Sequence, residues 1–161
     1  MKKKLLAGLV ALTMSASLLV GCGSAGSDSV IKIGGIGPLT GSASTYGNSV
    51  KEGAELLIKE INDAGGINGK QIELIFEDDQ ATPDGAMQAF NKLVDKDGVS
   101  AILGGVTSGA TLAIAKNATE RQIPMLTPTG TEPSITNEGG EYMFRGCFVS
   151  PGLRGGEWGT C

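Results

Sequence analysis

Three short segments concentrate the groups that could hold a small molecule. They are Gly37 to Gly47, Gly104 to Gly109 and Thr127 to Thr131, each built from glycine, serine and threonine. Ser108 precedes a helical pattern that starts near Ala110, so its hydroxyl falls where backbone N–H groups lack intrahelical partners. That combination suits an anion. Thr129 and Thr131 bring hydroxyls and peptide groups from the next segment, and Tyr46 adds a flat apolar surface with one polar tip. Together they suit a ligand that carries a carboxylate and an ammonium, because hydroxyl and peptide groups can bind a zwitterion without a countercharge. Read singly, Ser108 is a helix cap and the threonines are turn residues; the recurrence across three segments favours the ligand reading.

Other motifs carry less. Gly35-x-Gly37 after a strand suggests a dinucleotide fingerprint, but Pro38 interrupts it and the next glycine, Gly41, falls one place too far. Glu77-Asp78-Asp79 could hold calcium or supply paired carboxylates, yet a strand end dipping into solvent accounts for it more simply. Asn117-Ala118-Thr119 matches a glycosylation acceptor inside a predicted helix and is read as chance. The chain has no histidine, which excludes a Ser-His-Asp triad, a His general base and His-ligated zinc. Only unassisted Ser and Thr occupy the candidate segments, so no enzyme activity, catalytic residue, metal or cofactor is expected.

The elements that must position these loops follow a rhythm. Val30 to Ile36 is a β-branched apolar run, read as a buried strand. Ser49 and Glu52 have capping-box spacing, and Val50, Ala54, Leu57 and Ile61 form one apolar stripe that Gly65-Gly66 ends. Gln71 to Phe76 is a second strand, and Thr82-Pro83 starts a helix placing Met87, Phe90 and Val94 on one face, ended by Gly98. Val99 to Leu103, a helix from about Ala110 to Arg121, and Ile123 to Leu126 complete the series. Strand, loop and helix thus alternate with strand starts 24 to 41 residues apart, which predicts an α/β fold: a parallel Rossmann-like sheet flanked by helices. Ligands of such sheets bind outside the carboxyl ends of the strands, where the three hydroxyl-rich segments fall.

The ends of the chain read differently. Lys2 to Lys4 and the apolar stretch Leu5 to Val20 have the order of a secretory leader. Leu19-Val20-Gly21-Cys22 resembles the bacterial lipoprotein cleavage box, with Cys22 as the lipidation site. Residues 1–21 are therefore expected to be a lipoprotein signal peptide and 22–29 a flexible tether. The protein is expected outside the cytoplasm, lipid-anchored to the bacterial cell membrane, on its outer face or in the periplasm. Without residues 1–21, Lys+Arg falls from 13 to 10 while Asp+Glu stays at 17, so the net charge is −7. An acidic surface argues against nucleic acid as a partner. Cys147 and Cys161 have no recognisable disulfide spacing, and no bond between them is expected.

Taken in order, several segments resemble the extracytoplasmic solute-binding proteins of branched-chain amino acid ABC transporters. They are Ile33-Gly34-Gly35-Ile36-Gly37-Pro38-Leu39-Thr40-Gly41, Thr45-Tyr46-Gly47, and Glu60 to Gly69 with Gly53-Ala54-Glu55 before it. Asp78-Asp79 with Pro83, Ile102 to Ser108 and Pro124 to Thr131 continue the match. The resemblance covers about residues 30 to 150 and implies the first lobe of a type I periplasmic binding protein fold, in which two α/β lobes close on a ligand. It implies that Ser108 and Thr131 receive the ligand's α-carboxylate, that the Thr129 carbonyl takes the ammonium and that Tyr46 is a wall residue. An amino acid ligand and a membrane permease are the implied partners; a ligand-sensing receptor module of the same fold is the alternative. Some relatives have a disulfide near the positions of Ala81 and Thr107, which this sequence lacks. The second lobe expected of the family is absent, so residues 30–151 are read as an N-terminal ligand-binding lobe that binds weakly. Residues 152–161 match nothing in the family and read as an aberrant tail from a frame change.

Overall fold

The computed structural model describes residues 30–149. The proposed leader, the tether with Cys22 and the tail from 152 onward lie outside the described residues. Nine elements alternate strictly. They are β1 (Val30–Gly37), α1 (Ser44–Asp63), β2 (Gln71–Asp78), α2 (Pro83–Lys92), β3 (Ala101–Leu103), α3 (Ser108–Glu120), β4 (Met125–Thr127), α4 (Ser134–Gly139) and β5 (Met143–Arg145). A π-helical turn, Leu93–Asp97, extends α2 and closes at Gly98 in the left-handed region.

All strand pairs are parallel, in the order β2-β1-β3-β4-β5. β1 pairs with β2 from Val30↔Gln71 to Gly37↔Asp78 and with β3 from Ile33↔Ala101 to Gly35↔Leu103. The first crossover steps from β1 to one side, and every later one steps the other way. Since each crossover is right-handed, α1 must cover one face of the sheet and α2, α3 and α4 the other. The packing agrees: α1 lies on β1 and β2, whereas α2 packs on α3 and α3 on α4. The reversal occurs between β1 and β3, and loops leaving those two strands diverge to opposite faces and open a crevice there.

The core lies beneath α2, α3 and α4. Ile36, Phe90, Leu93, Ile114, Met125 and Ile135 are fully buried in it, and Ile102 nearly so. The face predicted for α2 is the one used: Phe90 is in the core, with Met87 and Val94 packed against its edge. Its cap also holds, since the Gly85 N–H donates to Thr82 Oγ1 (3.0 Å) and Pro83 occupies the first turn.

Three expectations are corrected. α1 begins at Ser44, five residues before the capping box read at Ser49, and its N-cap Ala43 makes no side-chain cap. Leu57 is 57% exposed, because the inward line of α1 runs through Gly47, Val50, Ala54, Ile58 and Ile61. The carboxylates ending β2 are not a solvated strand end: Asp79 is fully buried and Asp78 is bonded into the neighbouring loop.

Candidate functional site

The exits of β1, β3 and β4 stand side by side at the carboxyl edge of the sheet. The β1 loop, Pro38 to Ala43, is held by Asp78. The Leu39 N–H donates to Asp78 Oδ1 (2.8 Å), and the Thr40 hydroxyl donates to Oδ2 (2.6 Å). The Gln80 N–H also donates to Oδ1 (2.9 Å). Burial pushes the Asp78 carboxyl up, but these bonds from Thr40, Gln80 and Leu39 outweigh it and hold the group below its usual value. Asn48 on α1 adds bonds from Nδ2 to the carbonyls of Ser44 (2.9 Å) and Leu39 (3.4 Å).

Glycine lets the first two exits meet. A Cβ on Gly37 would stand 2.6 Å from Val106 Cγ2, so only a bare backbone lets the β3 loop lie against β1. The β3 and β4 loops are joined by hydroxyls. Thr127 Oγ1 donates to the Gly105 carbonyl (2.9 Å) and accepts the Gly130 N–H (2.9 Å), while the Thr129 hydroxyl donates to the Val106 carbonyl (2.6 Å). Thr111 Oγ1 lies 2.7 Å from both the Gly105 and Thr107 carbonyls.

The structure therefore sorts the candidate residues. Thr129 is exposed, and its hydroxyl donates to the Val106 carbonyl and is not available to another acceptor. Ser108 is the first residue of α3 and not its cap; Thr107 holds the cap position and makes no side-chain cap bond. The first bond of that helix runs from the Thr111 N–H to the Thr107 carbonyl (2.9 Å), so the N–H groups of Ser108, Gly109 and Ala110 precede it. An anion seated there meets N–H donors and the positive end of the helix dipole. Ser108 and Thr131 are half-buried, and their hydroxyls bond to no other described residue. Tyr46 stands on the first turn of α1, 67% exposed. Ser108, Thr129 and Thr131 thus belong to two loops bonded to each other, whereas no hydrogen bond joins Tyr46 to them among the described residues.

Sequence reasoning missed Asp78 and Asp79 as organisers. Asp79 accepts the Ala81 N–H on Oδ1 (2.8 Å), its Oδ2 is buried without a partner, and burial raises its carboxyl above the usual value. A groove of about 450 Å³ lies beside β2 and α2, and Asp78 and Gln80 are part of its lining. Lys92, which lines it, bonds to Glu77 (2.8 Å) and Asp97 (3.0 Å), and those bonds raise its ammonium above the usual value.

A doubly wound parallel sheet with hydroxyl-bearing loops at its carboxyl edge is the architecture of ligand-binding α/β lobes. The chain belongs to the periplasmic binding protein family, whose profile matches residues 30–150. A Leu/Ile/Val-binding protein homolog of Brucella melitensis is 41% identical over 73% of this chain and 32% of its own length. The branched-chain amino acid transporter substrate-binding protein LivJ from Streptococcus pneumoniae, solved with isoleucine, superposes with a TM-score of 0.71. It is 40% identical over 74% of this chain and 34% of its own. An ABC transporter solute-binding protein from Rhodopseudomonas palustris, solved with 3,4-dihydroxybenzoic acid, gives 0.70 at 30% identity over 76% and 33%. The chain spans about a third of the length of these relatives. Membership of this family places the protein outside the cytoplasm.

Proposed function

We propose that this chain supplies one wall of the binding crevice of an ABC transporter's solute-binding protein for a branched-chain or related amino acid. The α3 N-terminus and the Ser108 and Thr131 hydroxyls take the carboxylate, the Thr129 carbonyl takes the ammonium, and Tyr46 walls the side chain. The observation that carries this is the bonding of the β3 and β4 loops, which brings Ser108 and the Thr129–Thr131 peptides to one edge. Delivery is to a membrane permease, and the chain is tethered through lipid on Cys22. In this reading residues 1–21 are a signal peptide, 22–29 a leash, 30–151 the lobe and 152–161 a tail of other origin.

The described lobe taken by itself contacts one side of the ligand, so its own affinity is expected in the millimolar range, about 4 kcal/mol. Titration of the ¹⁵N-labelled chain with leucine should shift the amides of Ser108 and Thr131, and Ser108→Ala should weaken the effect. Leucine at tens of millimolar leaving both amides unmoved refutes the site. Palmitate labelling that survives Cys22→Ala refutes the anchor.

A further inference from the structure

β5 ends at Arg145, and its side chain reaches back across the loop that leaves β4. Nη1 donates to the Gly130 carbonyl (2.7 Å) and Nη2 to the Glu132 carbonyl (2.7 Å). Nη2 also lies 3.3 Å from Thr136 Oγ1, in the first turn of α4. The two carbonyls belong to the residues on either side of Thr131. The Gly130 peptide is held on its other side too, because its N–H donates to Thr127 Oγ1 (2.9 Å).

We propose that Arg145 is a positioning residue for the ligand site, fixing the Gly130–Glu132 peptides so that Thr131 is presented to the ligand's carboxylate. This rests on the function proposed above. A guanidinium is suited to the task, since its planar fork offers several N–H donors at fixed angles. Both bonds are charge-assisted and stronger than neutral ones. The side chain is half-buried and lies outside the apolar cluster beneath α2, α3 and α4, so it is not core packing that it supplies. Lysine offers its three donors from a single nitrogen and lacks the fork that serves two separated carbonyls, so it should hold the pair less well. A binding group left loose by a fraction of an ångström loses affinity even when it is present.

The test uses the full ¹⁵N-labelled chain as wild type, Arg145→Gln and Arg145→Lys, with Val99→Ala as a variant weakened elsewhere in the core. In Arg145→Gln, exchange of the Gly130 amide, whose N–H is bonded to Thr127 Oγ1, should quicken and leucine affinity should fall about tenfold, the consequence of losing charge-assisted bonds. Arg145→Lys should recover part of both, and Val99→Ala should lower the melting temperature without changing leucine affinity. Unchanged exchange at Gly130 in Arg145→Gln overturns the inference. So does a loss of affinity in Val99→Ala equal to that in Arg145→Gln, which would make the role merely structural. If the wild type itself ignores leucine, the proposed function fails, and exchange at Gly130 alone then decides whether Arg145 holds the loop.

Discussion

Two glycines of α1 should respond to the same substitution with opposite signs. Gly47 sits in the first turn against Pro38, which is fully buried. An alanine Cβ at Gly47 would stand 2.0 Å from the Pro38 carbonyl oxygen, 2.6 Å from its carbon and 2.8 Å from its nitrogen. All three are backbone atoms, so no rotamer change relieves the contact. Reaching an ordinary separation needs a movement of about 1.5 Å. Either the first turn of α1 lifts off the sheet or the β1 loop leaves its place on Asp78.

The magnitudes compete. Alanine in place of glycine in a helix interior gains about 1 kcal/mol. Overpacking costs about 1–3 kcal/mol, and a clash with backbone belongs at the upper end. Gly47→Ala should therefore lose about 2 kcal/mol net. Gly53, two turns along the same helix, is exposed and has nothing within 4 Å of the new Cβ. There the propensity acts alone, and Gly53→Ala should gain about 1 kcal/mol. For a domain of this size the two melting temperatures should move about 8 °C down and about 4 °C up. Urea titration followed by circular dichroism, with thermal melts alongside, reads both. Equal shifts in one direction would refute the placement of Gly47 on Pro38, and with it the account of how the β1 loop is held.

Asp78→Asn keeps an acceptor for the Leu39 N–H but puts an amide nitrogen or a lost charge before the Thr40 hydroxyl. Exchange of the Leu39 amide should quicken and stability should fall by about 1 kcal/mol. The Asp78 carboxyl is lowered from 3.8 in the fold, so its stabilisation is present above that value and lost as pH falls through the lower folded one. An acid titration of stability should show this limb in the wild type and lose it in Asp78→Asn. Asp79 runs the other way. Its carboxyl is raised from 3.8, so its contribution is fully present below that value and lost as pH rises through the folded one. The stability of Asp79→Asn relative to wild type should therefore improve from acid to neutral pH, and a constant difference would show that burial does not disfavour the charge.

The parts of the fold that could be read from the sequence are those whose cause is local. The strand β1 announces itself by β-branched residues, α2 by Thr82-Pro83 and the Met87, Phe90, Val94 face, and the end of that helix by Gly98. The start of α1 could not be read, because Ala43 carries no capping group and the only capping pattern nearby, Ser49 with Glu52, lies inside the helix. Leu57 and Ile58 both fit a helical period with Val50, Ala54 and Ile61, and only the angle of α1 on β1 and β2 decides between them. α4, six residues between loops, leaves too little periodicity to detect. For the site, residue types pointed to Ser108, Thr129 and Thr131, but not to what holds them. Asp78 acts on Leu39 and Thr40, nearly forty positions away, and Arg145 acts on carbonyls, which every residue has.

That division bears on how the hydroxyls are used. Six threonine and serine side chains crowd the exits of β3 and β4, and they are not equivalent; the Thr107 hydroxyl is buried without a partner among the described residues. Thr127 and Thr111 both direct their hydroxyls at the Gly105 carbonyl, and Thr129 directs its own at Val106. A hydroxyl already donating to a carbonyl in these loops would have to give up that bond to donate to a ligand's carboxylate, and a buried carbonyl left unpaired costs about 1–3 kcal/mol. Ser108 and Thr131 have no such bond to another described residue to give up. Thr127 and Thr129 thus tie the two loops together, whereas in the proposed function Ser108 and Thr131 serve the carboxylate, so Thr127→Val should loosen the loops and Thr131→Val should weaken leucine binding and leave the loops in place.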